Sequence, residues 1–157
     1  DLIAGLTGET LKEFSYSVDE AVRLSPANIT VHTLCLKKGA KLKESESRLH
    51  VEDIERMILY SREKLYGAGY FPYYLYRQKY MAGNCENTGW CRKGKECVYN
   101  IDIMEEITDN VACGANSVSK KVIHGQGRIE RYGAPKDIAT YLQQAEAILA
   151  EKRKLYL

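Results

Sequence analysis

The chain opens with DLIAGLTGET (residues 1–10), in which residues 1–4 predict a first strand and lead into a glycine-rich turn. Thr10 and Glu13 have the Thr-x-x-Glu spacing of a capping box, and they predict a helix that ends before Pro26. The segment NITVHTL (residues 28–34) is rich in β-branched residues and predicts a second strand. A strand, a helix of about four turns and a strand form a right-handed crossover with parallel strands. The opening segment therefore predicts an α/β fold.

The rest of the chain predicts further helices and strands. Apolar residues at helical spacing predict a long helix at about 51–68, and residues 70–76 read as a strand. Residues 82–100 contain three glycines and three cysteines and are predicted to be loop-like. Residues 117–132 predict a β-hairpin, and Pro135 is expected at the first position of a last, amphipathic helix. The apolar stripe of that helix comprises Ile138, Tyr141, Leu142, Ala145, Ile148 and Leu149.

Composition limits the classes of protein to consider. The chain has 157 residues, 45% of them hydrophobic, and 23 Lys and Arg against 21 Asp and Glu leave a net charge of +2. Such a balance does not favour a nucleic-acid partner or a polybasic membrane anchor. No apolar run approaches the ~18–20 residues of a membrane span, and we expect neither a span nor a secretory leader. The five cysteines favour reduced thiols and a cytoplasmic location. A chain that begins inside a predicted strand is expected to be a fragment of a longer protein.

Two groups of residues are candidates for chemistry on sequence grounds. Cys85, Cys91 and Cys97 have the spacing C-x5-C-x5-C, which matches neither the usual zinc pairs nor iron–sulfur ligation. Ordinary thiols are the favoured interpretation, and a small metal-binding domain is kept as an alternative. His32 lies in the middle of the second strand, opposite in alternation to Ile29 and Val31. If that apolar pair faces the helices, His32 faces the other side of the sheet, which in a barrel is the lumen.

Several motifs resemble one known family. Residues 1–10 resemble the D-L-I-x-G-L-P-G-E-T signature of the oxygen-independent coproporphyrinogen III oxidases, which are radical SAM proteins, and residues 28–34 resemble the family's next barrel strand. The segments YMAGNC (80–85), GKECVYNIDIMEE (94–106) and RIERY (128–132) resemble a subgroup often named coproporphyrinogen dehydrogenase. The order and spacing of these motifs extend the resemblance over nearly the whole chain. Thr7 departs from it, since the family usually has proline there.

The resemblance implies a partial (β/α)6 radical SAM barrel followed by a smaller, mixed α+β C-terminal region with a hairpin and a final helix. Residues 1–157 would be one fragment domain, in which about 1–49 end the barrel and about 50–157 form the C-terminal region. The family's cluster-binding C-x3-C-x2-C loop lies upstream of these motifs, and no cysteines here have that spacing. We therefore expect no metal ligands and no bound cofactor in the fragment itself.

The resemblance also implies the chemistry of the longer protein. In the family, a reduced [4Fe-4S] cluster cleaves S-adenosylmethionine (SAM), and the resulting radical starts the oxidative decarboxylation of coproporphyrinogen III to protoporphyrinogen IX in haem biosynthesis. The parent would be an oxidoreductase, and the fragment alone is expected to be inactive. The family's SAM contacts fall on Asp1, Cys35 and Val118 of this sequence. No residue here is expected to be catalytic.

Two further expectations concern partners. The parent would take a tetrapyrrole as substrate, and relatives that carry haem without oxidase activity offer an alternative, non-catalytic role. Truncation would leave the opening strand with an unpaired edge, which can pair with another chain. We therefore expect a homodimer through that edge or a rearranged, shielded edge.

Overall fold

The structure is a computed structural model in which residues 1–35, 51–78, 81 and 85–157 are described. It is mixed α/β, as the sequence predicts, and it forms two compact units, Asp1–Val98 and Tyr99–Leu157. The elements are β1 (Leu2–Ala4), α1 (Leu11–Leu24), β2 (Asn28–Thr33), α2 (Val51–Gly67), β3 (Phe71–Tyr76), β4 (Asn87–Cys91), α3 (Val98–Glu105), β5 (Val118–Ile123), β6 (Arg128–Gly133), α4 (Ile138–Gln143) and α5 (Ala145–Tyr156). Among the described residues, none of these helices has the length and apolar character to span a bilayer.

A four-stranded sheet forms the centre of the first unit. Its strand order is β1-β2-β4-β3, with β1 parallel to β2 and the other neighbours antiparallel. The two helices α1 and α2 pack against each other and against the parallel pair. Their contact with the sheet buries the unit's apolar core, which comprises Ala4, Phe14, Val18, Ile29, Val31, Met57, Leu65, Tyr70 and Trp90. The predicted crossover is therefore confirmed.

Helix α1 begins where the capping box predicts. The Thr10 hydroxyl accepts a hydrogen bond from the Glu13 N–H at 3.3 Å, and the Glu13 carboxylate accepts one from the Thr10 N–H at 2.8 Å. Two N–H groups that a helix start leaves without partners are thereby satisfied. The helix ends at Leu24, and Ser25 adopts a left-handed conformation just before Pro26. Both ends of α1 are thus set by local sequence.

The prediction of a loop at residues 82–100 is wrong for its middle part. Asn87–Cys91 form β4, which lies in the sheet between β2 and β3. Gly89 explains why no strand pattern is visible, because a side chain is excluded there: a Cβ at this position would lie 1.8 Å from Cε1 of Tyr74. The ring of Tyr74 fills the space instead. Asn87 is buried and accepts a hydrogen bond from the Thr33 N–H at 2.8 Å, so two residues typical of loops stabilise a central strand.

The second unit contains the predicted hairpin, formed by β5 and β6 with Val118 opposite Gly133 and Ile123 opposite Arg128. Helix α5 packs on it, and the Tyr156 hydroxyl donates to the carbonyl of Lys120 at 2.9 Å. This unit has few buried apolar side chains among the described residues.

The predicted last helix needs two corrections. It begins at Ile138 rather than at Pro135, because the Asp137 carboxylate caps it by accepting from the Thr140 N–H at 2.8 Å. It is also divided into α4 and α5 at Gln144, so a single stripe does not run along one helix face. Ile148 is buried, whereas the stripe residues Ile138, Leu142 and Leu149 are exposed. The single fragment domain with regions divided at about residue 49 stays a prediction.

The contact between Gly89 and Tyr74 predicts an effect on stability. We expect Gly89→Ala to destabilise the chain by about 1–3 kcal/mol, since the new methyl group forces the Tyr74 ring out of its place. Urea unfolding followed by the fluorescence of Trp90 measures the change. In the control Gly67→Ala the new methyl group meets nothing within 4 Å, and we expect no loss of stability. Equal stability of Gly89→Ala and the wild type would contradict the packing described.

The edge of β1 predicts self-association. Among the described residues β1 pairs only with β2, and it carries Ile3, which is 41% exposed. We expect the chain to dimerise with rising concentration and Ile3→Lys to weaken the dimer about tenfold or more, because a charge at an edge disfavours an added strand. Sedimentation equilibrium measures this, with Leu24→Lys as the control at another exposed apolar residue. A wild-type chain that is monomeric at every concentration tested would contradict the expected homodimer.

Candidate functional site

Side chains of different character occupy the two faces of the four-stranded sheet. Along β2, Ile29 and Val31 belong to the core on the helix side, and Thr30 and His32 alternate with them. The expectation that His32 faces away from the helices is therefore confirmed. Residues directly opposite each other in neighbouring strands share a face. The pairing of the strands therefore shows which residues of the other strands lie on the same side as His32.

We call this side the tyrosine face and define it by Asp1, Thr30, His32, Tyr74 and Tyr76. Ile3 of β1 is level with His32, which places Asp1 on the same side. Across the sheet, Gly89 of β4 is paired with both Thr30 and Tyr74, and Tyr76 is paired with Asn87. The face therefore combines a carboxylate, an imidazole and two phenols.

Hydrogen bonds connect the members of the tyrosine face across β4. The hydroxyls of Thr30 and Tyr74 lie 3.0 Å apart, and either can be the donor. The Tyr76 hydroxyl lies 3.4 Å from Nδ1 of His32, and the two rings meet edge to face with their centroids 6.4 Å apart. The rings of Tyr74 and Tyr76 are stacked, with an interplanar angle of 14°. Burial raises the pKa of Tyr74, so its phenol stays protonated at neutral pH.

His32 is neutral at neutral pH. Burial lowers the pKa of His32 below its usual 6.5. The Asp1 carboxylate lies 3.7 Å from Nε2, yet the Asp1 side chain is 73% exposed and water screens its charge. The contact is therefore a weak polar one, and the carboxylate keeps most of its capacity to accept hydrogen bonds from a ligand.

The two other sequence-predicted contacts are Cys35 and Val118. Cys35 follows β2 and is half-buried, in a β-bridge with Met81. By the parallel register Asp1 is level with Thr30, so five residues separate it from Cys35 along the strands, or about 16 Å. Val118 begins β5 in the second unit and is exposed. The sheet therefore brings together Asp1 and His32, and only an elongated ligand touches both Asp1 and Cys35.

A comparison with known proteins supports the predicted resemblance. The oxygen-independent coproporphyrinogen-III oxidase-like protein HemZ of Bacillus subtilis (strain 168) is 38% identical over 161 residues, which cover 98% of this chain. Over nearly its whole length, this chain is similar to that coproporphyrinogen-III oxidase-like protein. It spans 31% of the length of HemZ. No family model and no solved structure match the chain.

The cysteines of this chain are the residues on which the metal-binding alternative rests. All five lie in the described part of the chain, and none is in a disulfide. Among the described residues, no three His, Cys, Asp or Glu side chains are grouped as metal ligands. Burial raises the pKa of Cys85 and of Cys91, which favours the thiol over the thiolate that binds metals. The metal-binding alternative built on Cys85, Cys91 and Cys97 thus has no support in the structure.

Sequence reasoning missed Tyr74 and Tyr76 as partners of His32. Strict alternation along residues 71–76 would place Phe71, Tyr73 and Leu75 on one face, but the register shifts between Pro72 and Tyr74. Because this irregularity takes Tyr73 out of the alternation, Pro72 and Leu75 face the helix side while Tyr74 faces the other. A bulge of this kind has no signature in the sequence, although a glycine inside a strand, such as Gly89, indicates that another group lies close by.

The environment of His32 predicts a pH dependence. Because the pKa of His32 is lower in the folded chain than in the unfolded chain, the unfolded state binds the proton first as the pH falls. The contribution of neutral His32 to the stability of the folded chain is therefore complete above about pH 6.5. It decreases as the pH falls from there through the pKa that His32 has in the folded chain. NMR titration of the imidazole should give a midpoint below 6.5 in the native chain and near 6.5 in urea. His32→Gln should lose this part of the pH dependence, and a native midpoint above 6.5 would contradict the assignment.

Proposed function

We propose that this chain is the C-terminal part of a cytoplasmic radical SAM enzyme that oxidatively decarboxylates coproporphyrinogen III to protoporphyrinogen IX in haem biosynthesis. Its homology with HemZ, named as a coproporphyrinogen-III oxidase-like protein, supports this function. The structural observation that carries the proposal is the tyrosine face, where the opening motif presents the carboxylate of Asp1 beside His32. The proposal requires that a ligand contacts the tyrosine face.

We further propose that β1, α1 and β2 are the end of a partial (β/α)6 barrel. A parallel pair joined by a helix is the repeating unit of such barrels, and among the described residues the helices cover only one face of the pair. The opposite face, which carries Asp1, Thr30 and His32, would then line the lumen. Additional strands of the parent would pair with the outer edge of β1.

The residues of the tyrosine face fit SAM as a ligand. The exposed carboxylate of Asp1 can accept hydrogen bonds from a hydroxyl or an ammonium group, both of which SAM carries. Tyr76 offers an aromatic edge next to His32. Cys35 lies about 16 Å from Asp1 along the strands, so an elongated molecule is required to contact both. Val118 is retained in the proposal as a third contact. SAM bound to a reduced [4Fe-4S] cluster would supply the radical that removes hydrogen from the substrate.

The residues of this chain would bind the ligand and orient it. Asp1 holds the ligand through an anionic acceptor, and neutral His32 leaves that charge uncompensated until the ligand arrives. Tyr74 and Tyr76 are positioned by their contacts with Thr30 and His32, and their rings offer aromatic surface to the ligand. Since the described residues offer no group of metal ligands, the proposal places the cluster in another part of the parent. The chain alone would then be inactive.

A variant of the parent tests this function. In the full-length protein with its cluster reconstituted, we expect Asp1→Asn to weaken SAM binding about tenfold to a hundredfold, because a hydrogen bond to a charged group is lost. Equilibrium dialysis measures the affinity, and chromatography of the oxidised porphyrins measures turnover. The control Asp53→Asn removes a carboxylate in the first turn of α2 and should change neither.

Two outcomes would overturn the proposal. If Asp1→Asn, like Asp53→Asn, binds SAM with the same affinity as the wild type, Asp1 is not part of the site. A parent that binds haem stoichiometrically but produces no protoporphyrinogen would assign the family member a haem-carrying role instead.

A further inference from the structure

A cavity lies on the opposite side of the sheet from the tyrosine face. It has a volume of about 350 Å³ and opens between α2 and the strands β3 and β4. At about 30 Å³ per water molecule this is the space of roughly a dozen waters. The volume falls within the range of about 300–1,000 Å³ typical of sites for small molecules. We call it the Trp90 cavity.

Aromatic and apolar side chains form most of its walls. Tyr66 and Trp90 meet edge to face, with centroids 4.9 Å apart and an interplanar angle of 90°. Pro72 and Leu75 add apolar surface from β3, because the shift in register turns both toward the helix side. Such walls favour a ligand with an aromatic ring or an alkyl chain.

One cationic side chain lines the cavity without a carboxylate of its own. Among the residues described in the first unit, Arg62 has neither an ion pair nor a hydrogen bond from its guanidinium. Glu86, the acidic residue of the lining, is already paired with Arg77 at 2.9 Å. The charge of Arg62 is therefore available to an anionic group on a ligand.

Small polar groups also line the cavity. Ser61 is buried and donates its hydroxyl proton to the carbonyl of Ile58 at 2.8 Å, which leaves the hydroxyl oxygen as an acceptor. The Thr88 side chain also lines the cavity and adds a hydroxyl. A few polar groups at one side of an apolar cavity are the usual means of orienting a small ligand.

We propose that the Trp90 cavity binds a small apolar carboxylate, with the carboxylate at Arg62 and the apolar part against Tyr66 and Trp90. The space admits a single-ring compound rather than a four-ring tetrapyrrole, and it lies on the face that the proposed SAM site does not use. This binding site therefore goes beyond the proposed function and does not depend on it.

The test uses the chain's own fluorescence. Trp90 is the sole tryptophan, so any ligand-induced change in tryptophan emission reports on this cavity. We expect 4-phenylbutyrate to change the emission in a saturable way, and the uncharged 4-phenylbutanol to bind at least about tenfold more weakly, since it lacks the charge that Arg62 recognises.

Matched variants distinguish binding in the cavity from binding elsewhere on the chain. Arg62→Gln should weaken the binding of 4-phenylbutyrate about tenfold or more, whereas Arg56→Gln on the same helix should leave it unchanged. Asp1→Asn should also leave it unchanged, which separates this site from the proposed SAM site. No saturable change in emission, equal affinity for the acid and the alcohol, or equal affinity of Arg62→Gln and the wild type would each overturn the inference.

Discussion

The contact between Gly89 and the ring of Tyr74 is the constraint on which the first unit depends. A side chain at position 89 would overlap the ring, so the two strands can only lie side by side if β4 has a glycine there. The same arrangement carries the Tyr74 hydroxyl across β4 to Thr30 on β2. The absence of a Cβ at Gly89 thus allows β2, β4 and β3 to pack side by side, with the phenols of Tyr74 and Tyr76 on the same face as His32. The tyrosine face is a consequence of this packing.

The elements that the sequence predicts correctly are those with local signals. The capping box of Thr10 and Glu13 determines the start of α1, and β-branched residues mark β2, so the parallel crossover follows from short-range patterns. Strand β4 has no such signal, because its glycine and asparagine have roles that only neighbouring strands reveal. The predicted start of the last helix is too early because Asp137, rather than Pro135, provides its cap.

The same division applies to the candidate site. Alternation along β2 is sufficient to predict the side on which His32 lies, because strand geometry alone decides it. Along β3, alternation separates Leu75 from Tyr74 and Tyr76, but it does not carry through to Pro72, since the register shifts between Pro72 and Tyr74. The cavity beside Arg62 and Trp90 arises from the packing of a helix on the strands, and no motif predicts such a space. The resemblance to a family points to Asp1, and the structure shows that His32 lies next to it.

The order of strands has a consequence for how the chain folds. Helix α1 has both ends satisfied locally, and β1 and β2 pair across a connection of moderate length. By contrast, β4 must enter between β2 and β3, and its partners in β2 lie more than fifty residues earlier in the chain. Closing so long a loop costs entropy before any contact compensates for it. We therefore expect the crossover to form first and the hairpin of β3 and β4 to join the sheet later.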